Sequence, residues 1–365
     1  MKPNQYVFAG GGTGGHLYPG LAVAAALVTA EPDAEITFFT TQRALDRKLL
    51  EPTGYRQIEQ AVQPVTMTPW RWPRFWLSWR QSVAAARTYL AEQRPRAVLG
   101  LGGYAAGPPV VAARALGIKT AILNPDAIPG RANRYLARYA DLVAAQWDIS
   151  REFFPPGTNC QTLGCPIRAD FAAADPTAGC RRFELDPGRP VLLVTGASQG
   201  ARTVNRAMQR VWPDFLKNHP DWQLLHLSGP TDEEETRRAY ETAGAPARVV
   251  AFTHEMWLAL AAADAVVSRA GASTLAELTM LGKPAILLPY PYHRDRHQHV
   301  NAQVLVDAGA AILLEDHLEP AKNHTPLLTA LEQMADDEIH HEMATAATRL
   351  GRPQAAADVA RWLRN

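Results

Sequence analysis

The chain has 365 residues, 47% hydrophobic and 20% charged, with a formal net charge of +1, enough length for two domains that each bury a core. The balanced charge excludes a general nucleic-acid binder and leaves any electrostatic partner to a local patch. Cys160, Cys165 and Cys180 are odd in number and lack zinc-site spacing, so a disulfide framework is excluded, a reducing cytosol is expected, and the thiols read as small buried hydrophobes.

The opening stretch, MKPNQYVFAGGG, passes from a few polar residues into a short apolar strand with no signal-peptide core. No later window approaches the roughly 20 apolar residues of a membrane span. Apolar runs at 6–9, 36–40, 97–101, 120–123 and 142–145 alternate with helix-like segments such as 21–29 and 110–116. Strands separated by helices predict a parallel, doubly wound sheet. Within this half, residues 69–80 read PWRWPRFWLSWR: Trp70, Trp72, Trp76 and Trp79, with Phe75 and Leu77, are interleaved with Arg71, Arg74 and Arg80. Indole rings beside cations make an interfacial anchor for an anionic membrane surface; the competing reading is a core helix or packing surface.

A Pro- and Gly-rich stretch at 153–171 follows, with a hinge expected near 165–174. The strand pattern then restarts at 191–195, 223–227, 249–252, 265–268 and 285–289, predicting a second Rossmann-like domain. A short helical pattern at 354–364 ends the chain.

Glycine loops sit at the strand ends. AGGGTGGHLYPG matches the dinucleotide pattern at Gly10, Gly12 and Gly15, but that reading needs an acid at the end of the second strand, where Thr40, Thr41 and Gln42 stand. The loops at 100–109 and 195–203 place further glycines at turns where backbone amides approach a ligand. Ser198, Gln199 and Gly200 are therefore candidate phosphate contacts, with Arg269 adding charge.

Residues 265–301, AVVSRAGASTLAELTMLGKPAILLPYPYHRDRHQHVN, pack a strand, a turn, a helix, a strand and a polar loop into one unit. This places Arg269, Ser273, Thr274, Glu277 and Gln298 near strand carboxyl ends, where open α/β sheets bind ligands. A helix carboxylate can take two ribose hydroxyls, and the amides from Gly271 to Thr274 can face a diphosphate. The combination reads as a nucleotide-sugar site. His16, at the start of the first helix, is the candidate base; the alternative is that it only binds phosphate or orients the loop.

The order GGTGGH at 11–16, GGY at 102–104, PGRANR at 129–134, GCPIR at 164–168, GASQGAR at 196–202, SRAGASTLAE at 268–277, GKPAILLP at 282–289 and DRHQHVNA at 295–302 resembles the MurG family over nearly the whole chain. The resemblance implies an α/β GT-B fold, two Rossmann-like domains facing across a cleft. An N-terminal acceptor- and membrane-facing domain would span 1–168 and a UDP-sugar domain 169–350, with a helix in 351–365 returning to the first. It implies an inverting transfer of N-acetylglucosamine from its UDP derivative to an undecaprenyl-diphosphate-linked muramyl peptide, at the cytoplasmic face of the plasma membrane. No cofactor or metal is expected, and no Asp-x-Asp motif is present.

By the same resemblance Glu277 binds ribose, Gln298 the donor sugar, the backbone at Thr253 uracil, and Arg168 the donor. Thr13, Gly14, Gly15, Asp126, Ala272, Leu275 and Ala276 complete the donor set, and His16, Tyr104, Asn124 and Asn133 the acceptor set. The chain departs from the family where His-Glu-Gln-Asn becomes Leu123-Asn124-Pro125-Asp126. Either Asp126 takes over the lost polar contacts, or it pairs with His16 as a base–orienter dyad and the acceptor differs. The alternatives in function are a UDP-sugar transferase for another lipid or small-molecule acceptor, and a non-catalytic UDP-sugar-binding protein.

Overall fold

The computed structural model describes residues 3–64, 72–196, 199–292 and 296–365. The chain divides into two compact units, Met1–Arg168 with Pro353–Asn365, and Ala169–Arg352.

The first unit is built on a seven-stranded sheet of β1 (Gln5–Gly10), β2 (Glu35–Thr40), β3 (Arg56–Glu59), β4 (Ala97–Gly102), β5 (Lys119–Asn124), β6 (Leu142–Ala145) and β7 (Cys160–Thr162), ordered β3-β2-β1-β4-β5-β6-β7. All neighbours are parallel, with Phe8 opposite Phe38 on one side and Leu99 on the other. Side chains alternate between the faces. Tyr6, Phe8 and Leu99 pack beneath the Gly14–Ala30 helix, while Val7, Ala9 and Val98 pack against Ala86, Leu90 and Val110 on the other side. Strands buried on both faces explain the unbroken apolar runs in the sequence.

The last helix, Ala355–Arg364, belongs to this unit because Val359, Ala360 and Leu363 fall on one face and enter the same core. Lys119 caps the contact, with its Nζ 4.0 Å above the Trp362 ring. Each buried Val or Leu contributes about 1.5–3 kcal/mol, enough to hold a helix of this length.

The second unit has six parallel strands, β8 (Val191–Thr195), β9 (Gln223–Leu227), β10 (Arg248–Val250), β11 (Ala265–Ser268), β12 (Ala285–Leu287) and β13 (Ala311–Leu313), ordered β10-β9-β8-β11-β12-β13. Its core gathers Leu192, Val194, Trp212, Phe215 and Val267. Both units are therefore doubly wound. The chain reverses direction across the sheet between β1 and β4 in the first unit and between β8 and β11 in the second. The loops leaving those strands diverge and leave a crevice at each switch point.

Candidate active site

In the first unit the loop after β1 carries positive φ at Gly11 (149°) and Gly12 (87°). A Cβ on Gly11 would lie 2.4 Å from Asp46 Oδ2, so only glycine fits there. Asp46, fully buried in the Ala44–Leu50 helix, accepts from Gly12 N–H (2.8 and 3.0 Å), Thr41 N–H (3.1 Å) and the Thr41 hydroxyl. Arg43 Nη1 donates to Gly12 O at 2.8 Å. The Gly12 amide, which a dinucleotide site would turn toward pyrophosphate, is thus taken by a carboxylate of the chain itself, and the dinucleotide reading falls.

His16 lies two residues into the Gly14–Ala30 helix, half-buried. Its Nδ1 is 3.3 Å from Gly11 O and 3.1 Å from Thr13 Oγ1. A carbonyl only accepts, so a proton on Nδ1 serves that contact and leaves the lone pair on Nε2. The ring rests on Gly102 and Gly103, where a Cβ would come within 3.1 Å of Cδ2 and 3.2 Å of Cε1. The GGY glycines therefore make room for the imidazole. Burial pushes the His16 pKa below its ordinary value; the Gly11 carbonyl and the charges of Asp126 and Asp46 pull the other way without overcoming it. The ring is neutral near pH 7. Thr13 and Gly15 are exposed and Gly14 half-buried at the same turn, with Tyr104 half-buried in the turn after Gly103. Arg168 lies 5.2 Å from the Tyr18 ring, within the first unit.

The residues expected to meet an acceptor behave differently. Asn124 and Asn133 are almost wholly buried. Asn124 Nδ2 donates to Asp126 O (2.8 Å), and Asn133 Nδ2 donates to Leu123 O (2.9 Å) and Asn124 Oδ1 (3.1 Å). Both Nδ2 groups are spent on shaping the turn that presents half-buried Asp126, while Asn133 Oδ1 has no hydrogen-bond partner among the described residues. Asp126 acts on His16 through its charge, while Gly11 O holds Nδ1.

In the second unit a cavity of about 470 Å³ opens at the switch point, lined among others by Gly200, Arg269, Thr274, Tyr290 and Gln298. Two helices begin here, Arg202–Asn218 and Ala272–Met280, and neither N-terminus carries a side-chain cap. Their first-turn N–H groups remain available to an anion. Ser198 lies outside the described residues, and Gln199 and Gly200 stand just ahead of the first of these helices. Gly200 (φ 74°) is required because a Cβ would strike Ser228 O at 2.0 Å; its close approach is to the neighbouring loop.

Arg269 lines this cavity. It is nearly buried and ion-paired at 2.8 Å with Asp316, whose side chain is fully buried. It also donates to Leu288 O (2.9 Å), Pro289 O (3.1 Å) and Thr203 Oγ1 (2.8 Å). Burial opposes ionisation of Asp316, but Thr203, the Leu318 N–H and Arg269 together hold its carboxyl below the usual range. Asp316 thus offsets the Arg269 charge, and the residue braces the cavity wall that it lines.

Along Ala272–Met280, Ala272, Leu275 and Ala276 are buried packing positions, whereas Ser273, Thr274 and Glu277 are half-buried. Gln298 Oε1 accepts from Tyr290 N–H at 2.9 Å, leaving its Nε2 as the donor. Thr253 is buried, accepts from Glu255 N–H at 3.0 Å, and falls in the turn after β10.

The aromatic segment forms the helix Trp72–Gln93, with Trp70 and Arg71 outside the described residues. Trp72, Trp76 and Leu77 are 50%, 57% and 60% exposed, and Arg74 and Arg80 are exposed beside them. Trp79 is different. A Cβ on Gly107 would meet its ring at 2.4 Å, so this indole packs inward and anchors the helix, with half-buried Phe75 5.9 Å away. Among the described residues no helix is long and apolar enough to cross a membrane, and no group of three or more His, Cys, Asp or Glu could hold a metal ion.

Residues 6–145 match the glycosyltransferase family 28 N-terminal domain and residues 191–359 the family 28 C-terminal domain. A Desulforamulus reducens protein is 34% identical over 97% of this chain and 96% of its own length. One from Syntrophus aciditrophicus is 36% identical with the same coverage. Both are named UDP-N-acetylglucosamine–N-acetylmuramyl-(pentapeptide) pyrophosphoryl-undecaprenol N-acetylglucosamine transferase. Among solved structures, Acinetobacter baumannii MurG superimposes with a TM-score of 0.77 at 26% identity, covering 99% of both chains. Likeness of this extent over both units, with the glycine loops and the cavity at the switch points, places the chain in the MurG family of glycosyltransferases.

Proposed function

We propose that this chain transfers N-acetylglucosamine from UDP-N-acetylglucosamine to an undecaprenyl-diphosphate-linked N-acetylmuramyl peptide, with inversion and without a metal. The observation that carries the chemistry is the contact of His16 Nδ1 with Gly11 O at 3.3 Å, which leaves Nε2 to serve as the base; burial, lowering the ring's pKa, favours the neutral form this needs. An acceptor hydroxyl gives its proton to Nε2 as its oxygen bonds the anomeric carbon, and the bond to the UDP oxygen breaks on the opposite face. The leaving diphosphate needs positive potential, and the uncapped starts of Arg202–Asn218 and Ala272–Met280 supply it. Glu277 would take the ribose hydroxyls and Gln298, through Nε2, a hydroxyl of the sugar.

The exposed Trp72, Trp76 and Leu77 with Arg74 and Arg80 support peripheral docking on an anionic, cytoplasm-facing membrane surface, where a polyprenyl-linked acceptor resides. The product's anomeric configuration tests the reaction: proton NMR of material made from the α-linked donor should show a β-linkage. An α-linked product, or free sugar alone, would contradict inverting transfer.

A further inference from the structure

We propose that Asp46 is the positioning residue of the His16 base, acting through the single peptide unit that joins Gly11 to Gly12. The inference rests on His16 serving as the base. The Gly12 N–H donates to both oxygens of Asp46 at 2.8 and 3.0 Å, and the carbonyl of that same planar unit, Gly11 O, lies 3.3 Å from His16 Nδ1. In a trans peptide the N–H and C=O point to opposite sides. Carboxylate, peptide and imidazole therefore run in series. The arrangement does for His16 what a directly bonded carboxylate does in a nucleophile–histidine–acid triad: it holds the ring, keeps the proton on Nδ1 and leaves Nε2 for the substrate. A carboxylate bound to the N–H also polarises the peptide, making the carbonyl a stronger acceptor.

The surroundings are built for this role. Asp46 is 0% exposed, and its Oδ2 also accepts from the Thr41 N–H and hydroxyl. Gly11 lacks the Cβ that would displace it, and Arg43 pins the next carbonyl at 2.8 Å. The carboxylates whose charge reaches the ring are Asp46, from the Ala44–Leu50 helix, and Asp126, from the loop after β5; Thr13, Gly102 and Gly103 around the ring bring no charge.

The test is a double-mutant cycle on the full chain, reading kcat and the donor KM for wild type, His16→Ala, Asp46→Asn and the double mutant. Asp46→Asn should lower kcat about tenfold to a hundredfold while KM for UDP-N-acetylglucosamine stays within about twofold. In the His16→Ala background the same change should cost nothing further, because its target is gone. The acid limb of the Asp46→Asn profile should also move to lower pH, since a charge favouring the imidazolium is removed while Asp126 remains. Losses that multiply, or a limb that stays in place, would overturn the positioning role. Full turnover by His16→Ala would instead remove the base reading on which it rests. Should Asp46→Asn fail to fold, Thr41→Val takes one donor from Asp46 and enters the same cycle with a loss of about threefold, again absent without His16.

Discussion

At the scale of single residues, the glycine loop beside His16 and the cavity wall at Arg269 are each held by a carboxylate that no motif announces. Asp46 and Asp316 lie in unremarkable sequence, and their importance appears only when folding brings Gly12, Thr41, Thr203 and Arg269 to them. The place of His16 after a glycine loop at a strand end was legible in the sequence; the contact of its Nδ1 with Gly11 O, on which the proposed base role rests, was not. Replacing His16 with Ala should depress kcat roughly a hundredfold or more with little effect on UDP affinity. A mutant that keeps its turnover and loses UDP binding would assign His16 to phosphate. Because burial lowers its pKa, wild-type kcat should hold as pH falls through 7 and decline with a midpoint below about 6.5. Glu277→Ala should raise the donor KM strongly by removing charged hydrogen bonds to ribose, and unchanged donor affinity would take Glu277 out of the site.

At the scale of elements, the long apolar strands could be read from sequence because burial on both faces leaves an unbroken hydrophobic run. Three short strands could not. β3 (RQIE) and β7 (CQT) are polar sheet edges, and β13 (AIL) is too short to show a period. The helix Trp72–Gln93 shows the same limit in another form. Composition marks the tryptophans as a group, but only packing against Gly107 separates inward Trp79 from outward Trp72 and Trp76. Trp72→Ser with Trp76→Ser should release the protein from anionic vesicles and spare UDP binding, and salt should weaken wild-type binding, since each nearby arginine adds about 1 kcal/mol. Co-sedimentation of the double mutant at the wild-type level would refute the membrane role. β9 carries His226, fully buried between Tyr240 OH (2.9 Å) and Asn205 Oδ1 (3.1 Å), and burial lowers its pKa to about 3. The unfolded chain binds that proton near pH 6.5 and the folded one does not. The stability this gives is complete above 6.5 and falls toward pH 3 by up to about 1.4 kcal/mol per unit. Melting of wild type and His226→Gln between pH 7 and 5 should show the shallower slope in the mutant; equal slopes would contradict it.

At the scale of the whole molecule there are two doubly wound units, one carrying His16 and the aromatic helix, the other the cavity bounded by two helix starts without side-chain caps; the proposed function divides its work between them. Both folds followed from strand spacing and glycine loops. The burial of Asn124 and Asn133 did not, because a buried amide that shapes a turn and an exposed one look alike in sequence. In the proposed reaction backbone amides supply the positive potential, so no divalent ion is needed. The most direct measurement incubates the purified chain with radiolabelled UDP-N-acetylglucosamine, undecaprenyl-diphosphate-linked muramyl peptide and EDTA, and follows label into the lipid fraction. The account predicts lipid-linked label at the EDTA-free rate and about a hundredfold less with His16→Ala; no lipid-linked label, or transfer only when magnesium is restored, would contradict it.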